Sequence, residues 1–460
     1  MGSKWKTVRL GDYCIKIGSG ATPKGGNSVY TDTGNTYFIR SQNVYNHGFS
    51  TNGLVFITDE AAFKLKNVDV QENDVLLNIT GDSVARVCIA PGAFLPARVN
   101  QHVAIIRPKN DAFDPRFLRY FLSSPHQQTL LLTLASAGAT RNALTKGMIE
   151  DLQVPKPPLH AQKSIANVLD SFDKKIESNN KINQTLEQIS QTLFKSWFVD
   201  FDPVIDNALD AGNSIPEALQ SRAKLRQKVR NSADFKPLPA DIRALFPAEF
   251  EETELGWIPK NWHIRDFSDI AVLIKNNIKS DDICDDIHYI GLEHLERKHI
   301  FITNYGNGSD VSSNKSAFNK GDLLFGKLRP YFHKVAITPF SGICSTDILV
   351  FRAKENFYKS LMAMYAFTDE FVAYANLRST GTRMPRAEAK DLLKYKIILP
   401  NKNILEKFEL LLEDYWAKGQ LNNNENEQLT ALRDTLLPKL ISGELSLEDL
   451  PDLVTQTEPA

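Results

Sequence analysis

QKSIANVLDSFDKKIESNNKINQTLEQISQTLFKSWF, residues 162–198, carries two interleaved heptad tracks. One runs Ile165, Phe172, Asn179, Leu186, Leu193, and the other Leu169, Ile176, Asn183, Ser190, Trp197. The spacing alternates four and three, which puts both tracks on one stripe of an α-helix and suits a coiled-coil seam. The plan recurs 243 residues further on, as Phe408, Tyr415, Asn422, Leu429, Leu436 beside Leu412, Gly419, Asn426, Arg433, Leu440. Asn179 and Asn183 therefore answer to Asn422 and Asn426. A helix of about 40 residues spans roughly 60 Å. If the two helices pair antiparallel, their Asn layers meet, and buried polar groups fix register at a cost in stability. On this reading, Leu in place of Asn179 and Asn422 raises thermal stability and loosens the specificity of pairing. Two unrelated amphipathic helices, each lying on its own domain, are the alternative.

Outward from these helices the chain repeats with a period of about 245 residues. Asp74-Val75-Leu76-Leu77 answers to Asp322-Leu323-Leu324-Phe325, and Arg86-Val87-Cys88-Ile89 to Lys334-Val335-Ala336-Ile337. Val103 to Arg107 answers to Ile348 to Arg352, Gly138-Ala139-Thr140-Arg141 to Gly381-Thr382-Arg383, and Val154-Pro155 to Leu399-Pro400. Each half begins with a block of short β-rich runs and Gly, Asn and Asp turns, with one helical stretch near Phe117–Leu122 or Leu361–Phe367. Proline closes each block before its long helix. The expected fold class is α+β: two globular mixed domains joined by two long antiparallel helices, related as a pseudo-twofold repeat. The expected bounds are 1–155 and 255–400 for the domains, 156–201 and 401–445 for the helices, 202–254 for a bridge and 446–460 for a disordered acidic tail. In the bridge, Arg222, Lys224, Arg226, Lys228 and Arg230 read as a solvated surface helix in preference to a phosphate-contacting arm.

The 460 residues are 42% hydrophobic and 24% charged, a globular composition, with a net charge of −1 that seems to speak against nucleic acid. Divided by the repeat, the charge is +4 on residues 1–155, +4 on 255–400 and −9 on the remainder. The excess lies on the side that DNA requires. No run of apolar residues is long enough to span a membrane, and no secretory or myristoylation signal is visible at the start. Cys14, Cys88, Cys284 and Cys344 are scattered, which argues against a disulfide framework or zinc knuckle and fits a reducing cytoplasm. The nine histidines form no ligand-spaced cluster, so no metal is expected. Catalytic motifs are missing throughout: no phosphate-binding GxxxxGK[ST] loop, no HExxH and no nucleophile elbow. Lys156-Pro157-Pro158-Leu159 lacks both the amide and the aromatic that an adenine methyltransferase uses to hold its target amine.

Four strings carry a resemblance to a known family. They are Gln162 to Ala166 (QKSIA), Leu193 to Pro203 (LFKSWFVDFDP), Glu254 to Trp262 (ELGWIPKNW) and Leu436 to Leu445 (LLPKLISGEL). With the order block, helix, block, helix, they resemble the specificity (S) subunits of type I restriction-modification systems. The resemblance implies a non-catalytic subunit in which each block is a target recognition domain for one half of a split DNA sequence. The helices would act as a spacer and ruler, clasped by two methyltransferase subunits and joined by restriction-translocase subunits. S-adenosylmethionine, ATP and Mg2+ would belong to those partners, and this chain would have no cofactor. With the domains in opposite orientations, the half-sites would lie about one helical turn, roughly 10 base pairs, apart. A methyltransferase or nuclease with a fused specificity domain, and a coiled-coil scaffold without DNA, are the competing readings.

Base reading needs Arg, Lys, Asn and Gln at loop tips, with hydroxyls on phosphate. In the first block the candidates are Thr22, Lys24, Arg40, Ser41, Gln42, Asn43, Asn78, Thr80, Asp82, Ser83, Arg86, Asn100, Gln101, Arg141 and Asn142. In the second they are Lys327, Arg329, Tyr331, His333, Lys334, Ser345, Thr346, Arg383 and Arg386. Arg86 and Lys334 occupy matching positions, which suits a shared phosphate contact.

Overall fold

The computed structural model describes residues 5–137, 142–381 and 383–446. It divides into two compact units, one of residues up to Glu177 and from Asn426 on, the other Ser178–Glu425. Two long helices, Leu159–Phe194 and Lys402–Ser442, each contribute to both units.

In the first unit, Val87–Ile89, Val75–Asn78, Val103–Pro108 and Cys14–Ser19 form an antiparallel four-stranded sheet in that order. A five-stranded sheet orders Tyr30–Thr31, Val55–Ile57, Thr36–Ile39, Ala97–Val99 and Asp69–Val70, with one parallel pair, Thr36–Ile39 beside Ala97–Val99. Successive side chains of a strand point to opposite faces, so the buried run Val75-Leu76-Leu77 serves two cores. Val75 and Leu77 pack with helix Pro115–Ser123 and with Leu169, Leu436 and Leu440 of the long helices. Leu76, Cys88 and Ile105 pack toward the five-stranded sheet.

The second unit repeats this arrangement. Its four-stranded sheet orders Ala271–Ile274, Ile348–Ala353, Leu323–Gly326 and Val335–Ile337, and its five-stranded sheet again holds one parallel pair, His288–Ile290 beside Gly342–Cys344. Leu323, Phe325 and Phe351 face helix Lys359–Ala366 and the long-helix residues Phe408 and Leu412, whereas Leu324, Ala336 and Val350 face the other sheet. Each domain has a second helix, Pro125–Ser136 or Asp369–Leu377, beyond the one stretch expected.

One ion pair built on a buried aspartate is duplicated with the fold. Asp74 receives Arg107 through Nε and Nη2, both at 2.7 Å, and also the Gln71 N–H at 2.7 Å. Asp322 receives Arg352 at 2.7 and 2.8 Å and the Asn319 N–H at 2.7 Å. A bidentate guanidinium compensates the carboxylate's lost hydration. The repeat letters Asp and Arg thus mark a structural clamp that joins the turn before one strand to the neighbouring strand.

Within the second unit the long helices run antiparallel, and their seam is polar at its middle. Asn183 donates to Asn423 Oδ1 at 2.7 Å and to the Gly419 carbonyl at 3.1 Å, and accepts from Asn422 Nδ2 at 2.8 Å. Asn179 donates to Glu425 Oε2 at 2.8 Å. Asn179 and Asn422 therefore do not pair with each other, and Asn423 and Glu425 enter the seam in addition to the expected residues. Asn426 is half-buried on the same helix. Within the first unit, Arg433 Nη1 bonds Asp173 Oδ1 at 2.8 Å.

The bridge is folded. Helices Asp202–Ala211 and Gln220–Arg230 are laced by ion pairs from Arg222 to Asp202, Arg226 to Asp206 and Arg230 to Asp210. The segment is the surface helix expected, with Ala223 buried, but its arginines are held by carboxylates, and of its five basic residues Lys224 and Lys228 are the exposed ones. Ahead of the bridge, Trp197 meets Phe246, Phe198 meets Phe408 and Phe201 meets Trp262, at centroid separations of 5.0, 4.8 and 5.8 Å. The string LFKSWFVDFDP is a packing signature.

Acids of both long helices hold domain 2: Glu409 accepts the Ser360 N–H at 2.7 Å, and Glu187 holds the turn at His299 and Ile300. Glu187 is buried; its Oε1 accepts the Ile300 N–H at 2.8 Å and its Oε2 faces His299 Nδ1 at 3.1 Å. The hydrogen bond to Glu187 holds the His299 imidazole above its ordinary value, and partial burial opposes this. A raised folded-state pKa adds stability that is complete below about pH 6.5 and is lost as pH rises through the higher folded value. Because His299 is half-exposed, the expected contribution is under about 1 kcal/mol. Thermal melts should show His299→Gln less stable than wild type at pH 5.5 and equal to it at pH 8.5; an equal gap at both would remove the imidazolium from the account.

Candidate nucleic-acid interface

At one end of each domain, loops distant in sequence converge. In domain 1 the Asn78 side-chain amide donates to the Ser41 carbonyl at 2.8 Å, and Ile79 N–H to the His102 carbonyl at 2.9 Å. Leu144 N–H reaches the Ile79 carbonyl at 2.8 Å, and Thr22 Oγ1 bonds Gln101 Oε1 at 2.7 Å. The segments around Thr22, Arg40, Thr80, Gln101 and Asn142 therefore share one face. Domain 2 builds the matching face. Lys327 N–H bonds the Asp347 carbonyl at 2.9 Å, Arg329 N–H the Pro385 carbonyl at 2.7 Å and Ser345 N–H the Ile290 carbonyl at 2.9 Å.

Within these faces the candidates separate by burial. Thr22, Lys24, Gln42, Gln101, Asn142, Thr346 and Arg383 are exposed, as is Tyr331. Arg40, Thr80, Ser83, Arg86, Lys327, Arg329 and Arg386 are partly exposed. The Arg86 guanidinium lies over the Tyr45 ring at 4.7 Å, a cation–π contact that orients it without neutralising it. Arg386 is held by Asp347 at 3.1 Å, and Thr80 Oγ1 by His102 Nδ1 at 2.5 Å. Gln42 leans on the Gly53 carbonyl at 3.3 Å, and Arg40 bonds the same carbonyl.

Four candidates are corrected. Asn43 is fully buried, accepting from Arg40 N–H at 2.9 Å and donating to the Ser50 and Asn52 carbonyls at 2.9 and 3.1 Å. Asn78 is also fully buried, and Asn100 is buried with its side chain capping His102 N–H at 3.1 Å. These amides satisfy backbone groups that would otherwise be orphaned. His333 is buried, with Nε2 against the Phe367 carbonyl at 2.9 Å and Nδ1 against Asp369 at 3.2 Å, and burial lowers its pKa. Lys334 is partly exposed, and its Nζ donates to the Leu292 carbonyl at 2.5 Å, which orients the ammonium without neutralising it. Arg141 lies outside the described residues.

Sequence reasoning missed the apolar part of the second face. Leu292, Leu328, Phe332 and Met384 line a cleft of about 320 Å³ together with Arg329 and Lys334. The exposed Tyr331–Phe332 dipeptide was its only legible sign. Among the described residues no carboxylate pairs with Lys24, Arg86, Lys327, Arg329 or Arg383, no group of three or more His, Cys, Asp or Glu side chains is placed to hold a metal, and no helix is long and apolar enough to cross a membrane.

Residues 2–188 and 259–431 match the family described as the type I restriction modification DNA specificity domain. The chain is 26% identical over 480 residues to the type I restriction enzyme HindI specificity subunit of Haemophilus influenzae, covering 96% of this chain and 100% of that one. It is 26% identical over 366 residues to the MjaIX specificity subunit of Methanocaldococcus jannaschii, covering 77% of this chain and 74% of the other. The crystal structure of a type I restriction-modification system S subunit from M. genitalium shares the fold, with a TM-score of 0.52 at 15% identity over 95% of this chain and 96% of that one.

Proposed function

Because the chain belongs to the type I restriction modification DNA specificity family, we propose that each of its β-rich domains reads one half of a split, asymmetric DNA site. The chain is the DNA-recognition subunit of a type I restriction-modification complex, and it is not an enzyme. Its partners are DNA and the methyltransferase and restriction subunits. The observation that carries the finer reading is the duplicated loop face. Each copy has cations free of carboxylate partners among the described residues, Lys24 and Arg86 in one and Lys327, Arg329 and Arg383 in the other.

In this reading two methyltransferase subunits dock through the long helices. S-adenosylmethionine, ATP and Mg2+ serve those partner subunits and the restriction subunits, and the chain itself takes no cofactor. Four free cysteines suit work in a reducing cytoplasm, where the DNA is.

Mapping methylated adenines after co-expression with the methyltransferase subunit should return two short specified blocks separated by an unspecified gap. One continuous motif would overturn the bipartite reading. Within the assembled complex, Arg86→Ala and Arg383→Ala should each weaken binding to all sequences and reduce the slope of log K against log salt by about 1. An unchanged slope removes the residue from the phosphate contacts.

A further inference from the structure

The loop Leu328–Lys334 is stiffer than a solvent loop needs to be. Arg329 and His333 both sit in the left-handed region, at φ 50° and 52°, although neither is glycine. Such positions cost free energy and persist only where the surroundings over-determine them. Here they do: Arg329 N–H is held by the Pro385 carbonyl at 2.7 Å, His333 N–H by the Pro330 carbonyl at 2.8 Å, and the buried His333 ring donates through Nε2 to the Phe367 carbonyl at 2.9 Å. Between the two strained residues the loop displays Tyr331 and Phe332, 45% and 40% exposed, with ring centroids 4.8 Å apart. The face around them carries Lys327, Arg329 and Arg383. The matching turn of domain 1, Gly81-Asp82-Ser83, has no aromatic residue.

We propose that Tyr331 and Phe332 form an aromatic wedge that inserts at a base step of the half-site read by domain 2. The inference rests on that domain being a DNA reader, and goes beyond it by assigning two specificity-determining side chains and a mode of contact. Two exposed rings on a rigid tip cost little ordering entropy on binding, and the surrounding cations hold the phosphates to either side. Wedges of this kind unstack one step and kink the duplex, and pyrimidine–purine steps yield most easily. The wedge would therefore select sequence by deformability in one half-site and not in the other.

The test uses the complex with its methyltransferase subunits and a cognate duplex defined from the methylated adenines, with 2-aminopurine placed in turn along the second half-site. Wild type should raise fluorescence at one step. Tyr331→Ala with Phe332→Ala should abolish that rise and weaken cognate binding about tenfold or more, with assembly and thermal midpoint unchanged. Tyr331→Leu, the milder variant, should lose most of the fluorescence rise. Wild-type fluorescence and affinity in the double variant would overturn the wedge, and so would weaker affinity without any fluorescence rise in wild type. Failure of the double variant to assemble would assign the rings to a protein contact instead. If Arg383→Ala also binds with an unchanged salt slope, the DNA-reading face itself fails. If that slope falls while the aromatic variants behave as wild type, the wedge alone fails.

Discussion

Asp74→Ala should unfold domain 1 more readily by about 3–5 kcal/mol, the range for stripping one partner from a buried ion pair. Asp74 is 1% exposed, and the Arg107 side chain that it binds twice is 17% exposed. Alanine leaves that guanidinium partly desolvated without its counter-charge, and also removes the acceptor of the Gln71 N–H. The repeat supplies an internal control. Arg352 makes the same bidentate contact with Asp322, but its side chain is 39% exposed, so water can recover part of the loss. Asp322→Ala should therefore cost domain 2 clearly less. Hydrogen–deuterium exchange along Val103–Pro108 and Ile348–Ala353 reads the two domains separately. Equal loss at both sites, or no loss at the first, would show that burial of the arginine does not set the cost.

Asn422→Leu should destabilise the helix pair by about 1–3 kcal/mol, the cost of a buried polar group left unpaired. Asn183 Oδ1 accepts from Asn422 Nδ2 at 2.8 Å in a buried seam. Leucine supplies no donor, and the carbonyl cannot reach water in its place. Adding Asn179→Leu makes matters worse, because Glu425 then loses its amide donor. The double replacement thus lowers the melting temperature, opposite to what the heptad pattern alone implies. Stability should return only when Asn183, Asn422 and Asn423 all become Leu, so that no amide is orphaned. That triple variant is the one expected to pair less specifically. Thermal melts of the single, double and triple variants test the order, and a single variant more stable than wild type would show the network to be dispensable.

These two cases show where sequence reading reaches and where it stops. The heptads, the Asp and Arg of the repeat and the alternation in Val75-Leu76-Leu77 are visible because each depends on spacing along the chain. The Asn pairs were visible as positions, yet their partners were not. Asn183 meets Asn422 and Asn423 because the register of two antiparallel helices puts them there, and one turn's shift would pair other residues.

The repeated α+β plan, the two long helices, the lack of catalytic motifs and the positive charge on both domains are all legible along the chain. All of these follow from local periodicity and composition. Which polar loop residues face outward is set by contacts that form when the chain folds. Asn43, Asn78 and Asn100 carry the same side chain as the exposed Asn142, but each lies where backbone donors or acceptors need a partner, and so turns inward. Whether a side chain is a reader or a clamp depends on groups brought from elsewhere in the chain, as His333 depends on Phe367 and Asp369. No spacing rule records that, because the free energy of an unsatisfied buried polar group is settled only once the fold has closed around it.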